Sequence, residues 1–258
     1  MMQVKVLVIA IVLTVGWCSS VCSKNPDMFV AEGRKDPGRV LSHHEGALSS
    51  QFHRSLSNNT LYRTEIGSIE YLSSEEFFLC SGEDSALIRR SQIGEEVFYL
   101  SPNIVRQVRS TPGGVIWWSE QTSLDAAQSE SNGDQVRAGA IYCWDAAKKT
   151  PKLVCHIDKT QLEGEWKGAF DVRNDKVYVA VSGDSSRIYD IHDPLEYKLV
   201  LTSPIKIRNF RWDNGGKLWA TDEKGRIVVI TNFKATYRFE VVIAGQAQLV
   251  DFDFKDVR

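Results

Sequence analysis

GAFDVRNDKVYVAVSGDSSRIYDI, residues 168–191, and IRNFRWDNGGKLWATDEKGRIVVI, residues 207–230, are one pattern written twice. In each, an aromatic residue and an apolar one two places on (Phe170 and Val172; Phe210 and Trp212) precede a turn, Asn174-Asp175 or Asn214-Gly215-Gly216. An alternating run follows, Val177 to Val181 or Leu218 to Ala220, and then a third run opened by arginine, Arg187-Ile188-Tyr189 or Arg226-Ile227-Val228. A fourth run closes each copy, Tyr197 to Leu201 and Tyr237 to Ile243. Period-two alternation between turn residues predicts antiparallel strands. Self-similarity at about 40 residues predicts the blades of a propeller.

The pattern extends outward in both directions. MFVAEGRKDPGRVL, from Met28, lines up with KLWATDEKGRIVVI, setting Phe29 and Ala31 against Leu218 and Ala220, so the N-terminal part starts on a second strand. One full blade is predicted over Ser68 to Leu100. Another begins at Val105, with its third strand, Ala140 to Trp144, delayed by the polar stretch Glu120 to Gln135. The first-strand markers Ile69, Val108, Phe170, Phe210 and Phe252 are separated by 39, 62, 40 and 42 residues. The last marker supplies a first strand alone, and Met28 to Leu56 supplies the other three. The expectation is therefore an all-β, five-bladed propeller of about 40 residues per blade, closed by N-terminal strands pairing with the C-terminal strand, which removes exposed sheet edges.

Residues 1–23 carry a lone Lys5, an apolar run from Val6 to Val15 and a small-residue end, the layout of a secretory signal peptide. The run is shorter than the roughly 20 apolar residues that cross a bilayer. Residues 24–258 are expected to form a single secreted propeller domain, monomeric and extracellular. A net charge of -2, with no basic stripe and no phosphate-binding loop, excludes nucleic acid as a partner and leaves no reason for membrane contact after signal cleavage. The sequon at Asn58 is an expected glycosylation point. Cys143 and Cys155 flank the turn from Ala146 to Thr150. A disulfide between them and a set of three buried thiols with Cys80 are the two alternatives.

Asp213 to Ile230 resembles a blade of the broad group that holds the NHL, YWTD and gluconolactonase propellers. The gluconolactonase resemblance implies a divalent metal held by a Glu opening the first blade, Asn residues of later blades and an Asp. Neither a Glu-x-Pro start nor an Asn-Gly strand entrance stands at matching positions here, so no metal ligand is assigned and the cofactor is left unknown. In size and setting the chain is also similar to the lepidopteran ommochrome-binding proteins and the tachylectin lectins.

In such a fold the loops joining second to third strands share one rim with the blade connectors, and rigid scaffolds gather variable chemistry in loops. Those loops are mostly acidic here. Trp118, Glu120, Glu165, Trp166, Asp184 and Asp222 are the expected ligand-binding residues, since an aromatic beside carboxylates can hold a planar, cationic or sugar ligand. The competing reading is turn chemistry for the acids and inter-blade packing for the tryptophans. His43-His44-Glu45 lacks a third metal ligand, and no nucleophile-elbow motif is present, so no catalytic residue is assigned. The expected function is a non-catalytic secreted binder of a small molecule, pigment or glycan. A metal-dependent hydrolase or lactonase, or a scaffold for a protein partner, is the alternative.

Overall fold

The structure, a computed structural model, describes residues 28–32, 39–44, 47–49, 66–73, 76–80, 85–91, 93–111, 113–122, 137–193, 196–233, 236–243 and 249–254. Residues 1–23, where a signal segment is expected, the Asn58 sequon and residues 123–136 lie outside them, as do the side chains of His43 and His44.

Among the described residues, twenty strands form five four-stranded antiparallel sheets. Four of these are contiguous hairpin meanders. The first holds β4 (Ser68–Ser73), β5 (Glu76–Cys80), β6 (Ala86–Ser91) and β7 (Gly94–Leu100). The second holds β8 (Ile104–Ser110), β9 (Ile116–Gln121), β10 (Arg137–Asp145) and β11 (Thr150–Asp158). The third holds β12 (Glu165–Arg173), β13 (Lys176–Ser182), β14 (Ser186–Asp190) and β15 (Lys198–Ser203). The fourth holds β16 (Ile207–Trp212), β17 (Leu218–Asp222), β18 (Ile227–Phe233) and β19 (Thr236–Ile243). The remaining sheet is composite, in the order β20 (Leu249–Phe254), β1 (Met28–Glu32), β2 (Arg39–His44) and β3 (Ala47–Ser49).

This arrangement corrects the expectation of five blades at about 40 residues each. Among the described residues the chain writes four contiguous blades. They are unequal, one filling residues 68–100 and the next running from 104 to 158. The fifth sheet is stitched from two distant segments through the β1–β20 ladder, Met28 opposite Phe254 to Ala31 opposite Asp251. The physical reason is closure: the innermost strands β4, β8, β12, β16 and β20 touch in a ring, so the last sheet has to draw on both ends of the described chain.

The core is a set of inter-sheet layers, not one central mass. Each first-strand marker sits in a different layer: Phe170, Phe210, Phe252, Ile69 and Val108 each pack against the neighbouring sheet and are essentially unexposed. Sheet faces that pack on other sheets at both sides explain why strand β17, Leu218–Asp222, is buried at every residue. Gly168 marks the irregularity in β12 between Trp166 and Phe170. Its φ is +94°, and a Cβ there would meet the Arg106 side chain at 2.2 Å, so only glycine lets β12 approach β8.

Candidate functional site

Alternation along each innermost strand puts the residues flanking the apolar marker on the propeller axis. Nine of those ten residues are polar, Ala169 being the exception: Ser68 and Glu70 on β4, Gln107 and Arg109 on β8, Asp171 on β12, Asn209 and Arg211 on β16, Asp251 and Asp253 on β20. All nine are buried. Charges enclosed in this way are tolerated only when paired and hydrogen-bonded.

Most are paired across sheets. Arg109 grips Asp251 with both terminal nitrogens, at 2.9 and 3.2 Å, and its Nη1 also donates to the Val108 carbonyl and the Ser68 hydroxyl. Asp251 further accepts from Ser68 Oγ at 2.6 Å and from the Ile69 amide at 3.1 Å. Arg211 bridges two carboxylates, Asp253 at 3.0 Å through Nη1 and Glu70 through Nη2, and it donates to the Ile69 carbonyl. Asp253 accepts the Tyr71 amide at 2.7 Å. Burial alone would lower the Arg211 pKa, but Asp253, Glu70, Asp251 and Asp171 together hold it above its ordinary value. Strand β20 is thereby tied to β4, β8 and β16, and Asn209 adds a 2.7 Å bond to the Val250 carbonyl.

Asp171 differs from its neighbours. It accepts the Trp212 amide at 3.0 Å and forms no ion pair among the described residues; burial pushes its pKa up from 3.8 to about 6, with Arg109 and Arg211 opposing the rise. Gln107 Oε1 accepts the Phe170 amide. Its Nε2, together with Arg109 Nε and Arg211 Nε, is enclosed without a hydrogen-bond partner.

The sequence-predicted rim residues are placed differently. Trp118 is wholly buried, stacked on Tyr142 with ring centres 5.9 Å apart and tilted against Tyr99 at 5.0 Å. Its indole N–H donates to Glu120 at 2.8 Å. Glu120 is buried too and also accepts from Asn103 Nδ2 at 3.2 Å. Burial first, and the Glu120 charge second, push the Tyr99 phenol to about 12, and the same two causes raise Tyr142. Trp118 and Glu120 thus share one nook with Tyr99, Asn103 and Tyr142. Trp166 lies in another layer, 2% exposed, with its N–H on the Ala169 carbonyl and its ring against Gly139, where a Cβ would come within 2.7 Å.

Asp222 is a turn residue. It accepts the Lys224 and Arg226 amides at 3.0 and 2.9 Å and pairs with Arg226 Nε at 2.7 Å. Of the six, only Glu165 and Asp184 present carboxylates to solvent, Glu165 with Lys167 at 3.3 Å. The structure does not bring the six residues together as one site. Neither does it join Cys143 to Cys155: both thiols are free. The register running from the turn sets Cys143 opposite Lys152, and Cys155 falls opposite Ile141, beyond the irregularity at Ile141 and Tyr142. Burial pushes the Cys155 thiol up to about 12.

The axial charges were missed, although a signal existed. The residue after each marker reads Glu70, Arg109, Asp171, Arg211, Asp253, a charge in every copy of the repeat.

The divalent metal implied by the gluconolactonase resemblance does not fit these residues. The axial carboxylates Glu70, Asp251 and Asp253 are each engaged by a guanidinium, and two buried positive charges oppose a divalent ion at the same place. Among the described residues there is no group of three or more His, Cys, Asp or Glu arranged to hold a metal ion.

The fold defines the class: the chain is a β-propeller. A solved structure of a protein provisionally assigned as a gluconolactonase matches 88% of this chain and 82% of its own, with TM-score 0.50 and 17% identity. A gluconolactonase from Xanthomonas campestris covers 83% of this chain and 71% of its own, with TM-score 0.47 and 13% identity. The extracellular domain of a Bacteroides thetaiotaomicron one-component system covers 87% of this chain and 28% of its own, at TM-score 0.44 and 12% identity. At these identities the likeness concerns the fold alone. No family model matches the chain, and no curated protein does.

Proposed function

We propose that this propeller is a secreted, non-catalytic binding protein that takes a small molecule or glycan at its loop rim. The observation that carries the reading is the axial pairing, in which Arg109 and Arg211 engage three of the four carboxylates on which metal-assisted hydrolysis would draw. What remains accessible is the rim, with Glu165 and Asp184 exposed. Close by, the rigid Trp118–Glu120 nook anchors the strand that leads into residues 123–136. A glycan is favoured by solvated carboxylates, which accept hydroxyl hydrogen bonds, and a pigment or other aromatic metabolite by half-buried tyrosine faces such as Tyr99 and Tyr142. Secretion is supported by the layout of residues 1–23. No helix of the described residues is long and apolar enough to cross a membrane.

Isothermal calorimetry of the mature chain against mono- and oligosaccharides and aromatic metabolites tests the reading. A micromolar ligand whose affinity falls about tenfold in Glu165→Ala or Asp184→Ala agrees with it. Pull-down of a protein partner with no small-molecule ligand points to a scaffold instead. A second reading, a lactonase-like hydrolase, is favoured by Asp171, an axial carboxyl outside any ion pair whose pKa near 6 suits general acid–base work. Lactone hydrolysis that is abolished in Asp171→Asn selects it.

A further inference from the structure

We infer that the mouth of the layer between the first and second sheets, where the phenols of Tyr99 and Tyr142 lie close to the Glu120 carboxylate, is a subsite for an organic ammonium group. The inference rests on the rim-binding reading and narrows it to a ligand that carries a positive charge.

Consecutive residues of a regular strand point to opposite faces. The irregularity in the β6–β7 ladder between Leu87 and Ile88 instead brings both Phe98 and Tyr99 against the second sheet. The Phe98 ring centre lies 4.6 Å from that of Trp144, and the Tyr99 ring centre 5.0 Å from that of Trp118. Tyr142, opposite Trp118 in the β9–β10 ladder, stacks on the same indole. Trp118 is enclosed, whereas Phe98, Tyr99, Tyr142 and Trp144 each keep part of their surface in solvent. The layer therefore ends in a wall of aromatic rings.

Behind that wall lies a carboxylate without a counter-ion. Glu120 is 2% exposed, and its donors, Trp118 Nε1 at 2.8 Å and Asn103 Nδ2 at 3.2 Å, are both neutral. It enters no ion pair among the described residues, and Arg106 of the neighbouring strand donates to Gln121 at 2.7 Å. Glu163, Glu165, Asp222 and Glu223 differ in this respect: each is matched by a cation, Arg187, Lys167, Arg226 and Lys206 in turn. The Glu120 charge reaches the mouth of the layer, where burial and that charge together raise both phenols with no cation opposing. A negative charge in a dry surrounding, beside ring faces that are themselves negative, attracts an ammonium group. A neutral ligand gains the stacking but not this attraction.

The test is calorimetric titration of the purified protein with tyramine and with its neutral counterpart 2-(4-hydroxyphenyl)ethanol. Tyramine is expected to bind roughly tenfold more tightly, the scale of a partly desolvated cation–ring contact. Glu120→Gln keeps an acceptor for Trp118 and Asn103 and removes the charge. It should bring tyramine down to the affinity of the alcohol, with the alcohol unchanged. Should that variant fail to fold, Tyr142→Leu is expected to weaken tyramine several-fold and to narrow its lead over the alcohol. Equal binding of amine and alcohol by the wild type overturns the inference, as does a tyramine affinity that folded Glu120→Gln leaves unchanged. A neutral sugar that binds through Glu165 or Asp184 while tyramine does not bind overturns it too and leaves the rim reading standing. Failure of the amine, the alcohol and the sugars alike ends both.

Discussion

Replacing Asp171 with Asn should stabilise the protein at neutral pH, against the usual cost of altering a buried charged residue. Asp171 is 8% exposed and forms no ion pair among the described residues, and its pKa stands at about 6 where an unfolded chain has 3.8. A shift of about two units corresponds to roughly 3 kcal/mol at 1.36 kcal/mol per unit. The sign follows from proton linkage: with the folded pKa raised, the native state holds the proton more tightly, so this contribution is fully present below about pH 3.8 and is lost as the pH rises through about 6. At pH 7.5 the wild type therefore carries an ionised, desolvated carboxylate that the Asp171→Asn variant lacks, while the new amide oxygen still accepts the Trp212 amide. Urea unfolding of both proteins at half-unit steps from pH 4 to 7.5 measures the difference. The variant should be more stable by up to about 3 kcal/mol at pH 7.5, or on the order of 6 °C in Tm, with the gap closing toward pH 4. Acid loss of the other axial pairs affects both proteins and cancels. A variant less stable at pH 7.5, or a gap that does not move with pH, refutes the reasoning.

Trp118→Ala should cost about 3 to 5 kcal/mol of folding free energy, since it empties a fully enclosed site. Trp118→Phe, which keeps a ring but removes the donor to Glu120, should cost about 1 to 3 kcal/mol by chemical denaturation. Asp222→Ala should lose about 2 kcal/mol, because two amides and Arg226 lose their acceptor together, while Asp184→Ala stays within about 0.5 kcal/mol; comparing the two by urea melts separates turn carboxylate from rim carboxylate. Gly168→Ala should destabilise by about 3 kcal/mol or prevent folding, measured the same way, because its Cβ has no room against Arg106.

The all-β propeller was legible because strand alternation and turn residues recur together, and because the apolar markers Ile69, Val108, Phe170, Phe210 and Phe252 each fill one inter-sheet layer. The size of each blade was legible only as an average of about 40 residues, since spacing between markers does not show where one sheet's hairpins end. The axial charges were hidden by an assumption built into period-two reading, that the face opposite the apolar one meets water. In an innermost strand that face meets the other innermost strands instead. Trp118 and Trp166 stand next to loops in the sequence, but nearness to a loop does not say which face a side chain takes, and both indoles turn inward. Of the two cysteine alternatives, hairpin length alone could not choose: the turn pairs Asp145 with Thr150, so Cys143 falls opposite Lys152, three residues short of Cys155.

Elemental analysis of natively purified protein by inductively coupled plasma mass spectrometry tests most directly the claim that the axis is neutralised from within. The account predicts well under one equivalent of any divalent metal after dialysis without chelator. One equivalent in the wild type, released by Glu70→Gln or Asp251→Asn, contradicts it.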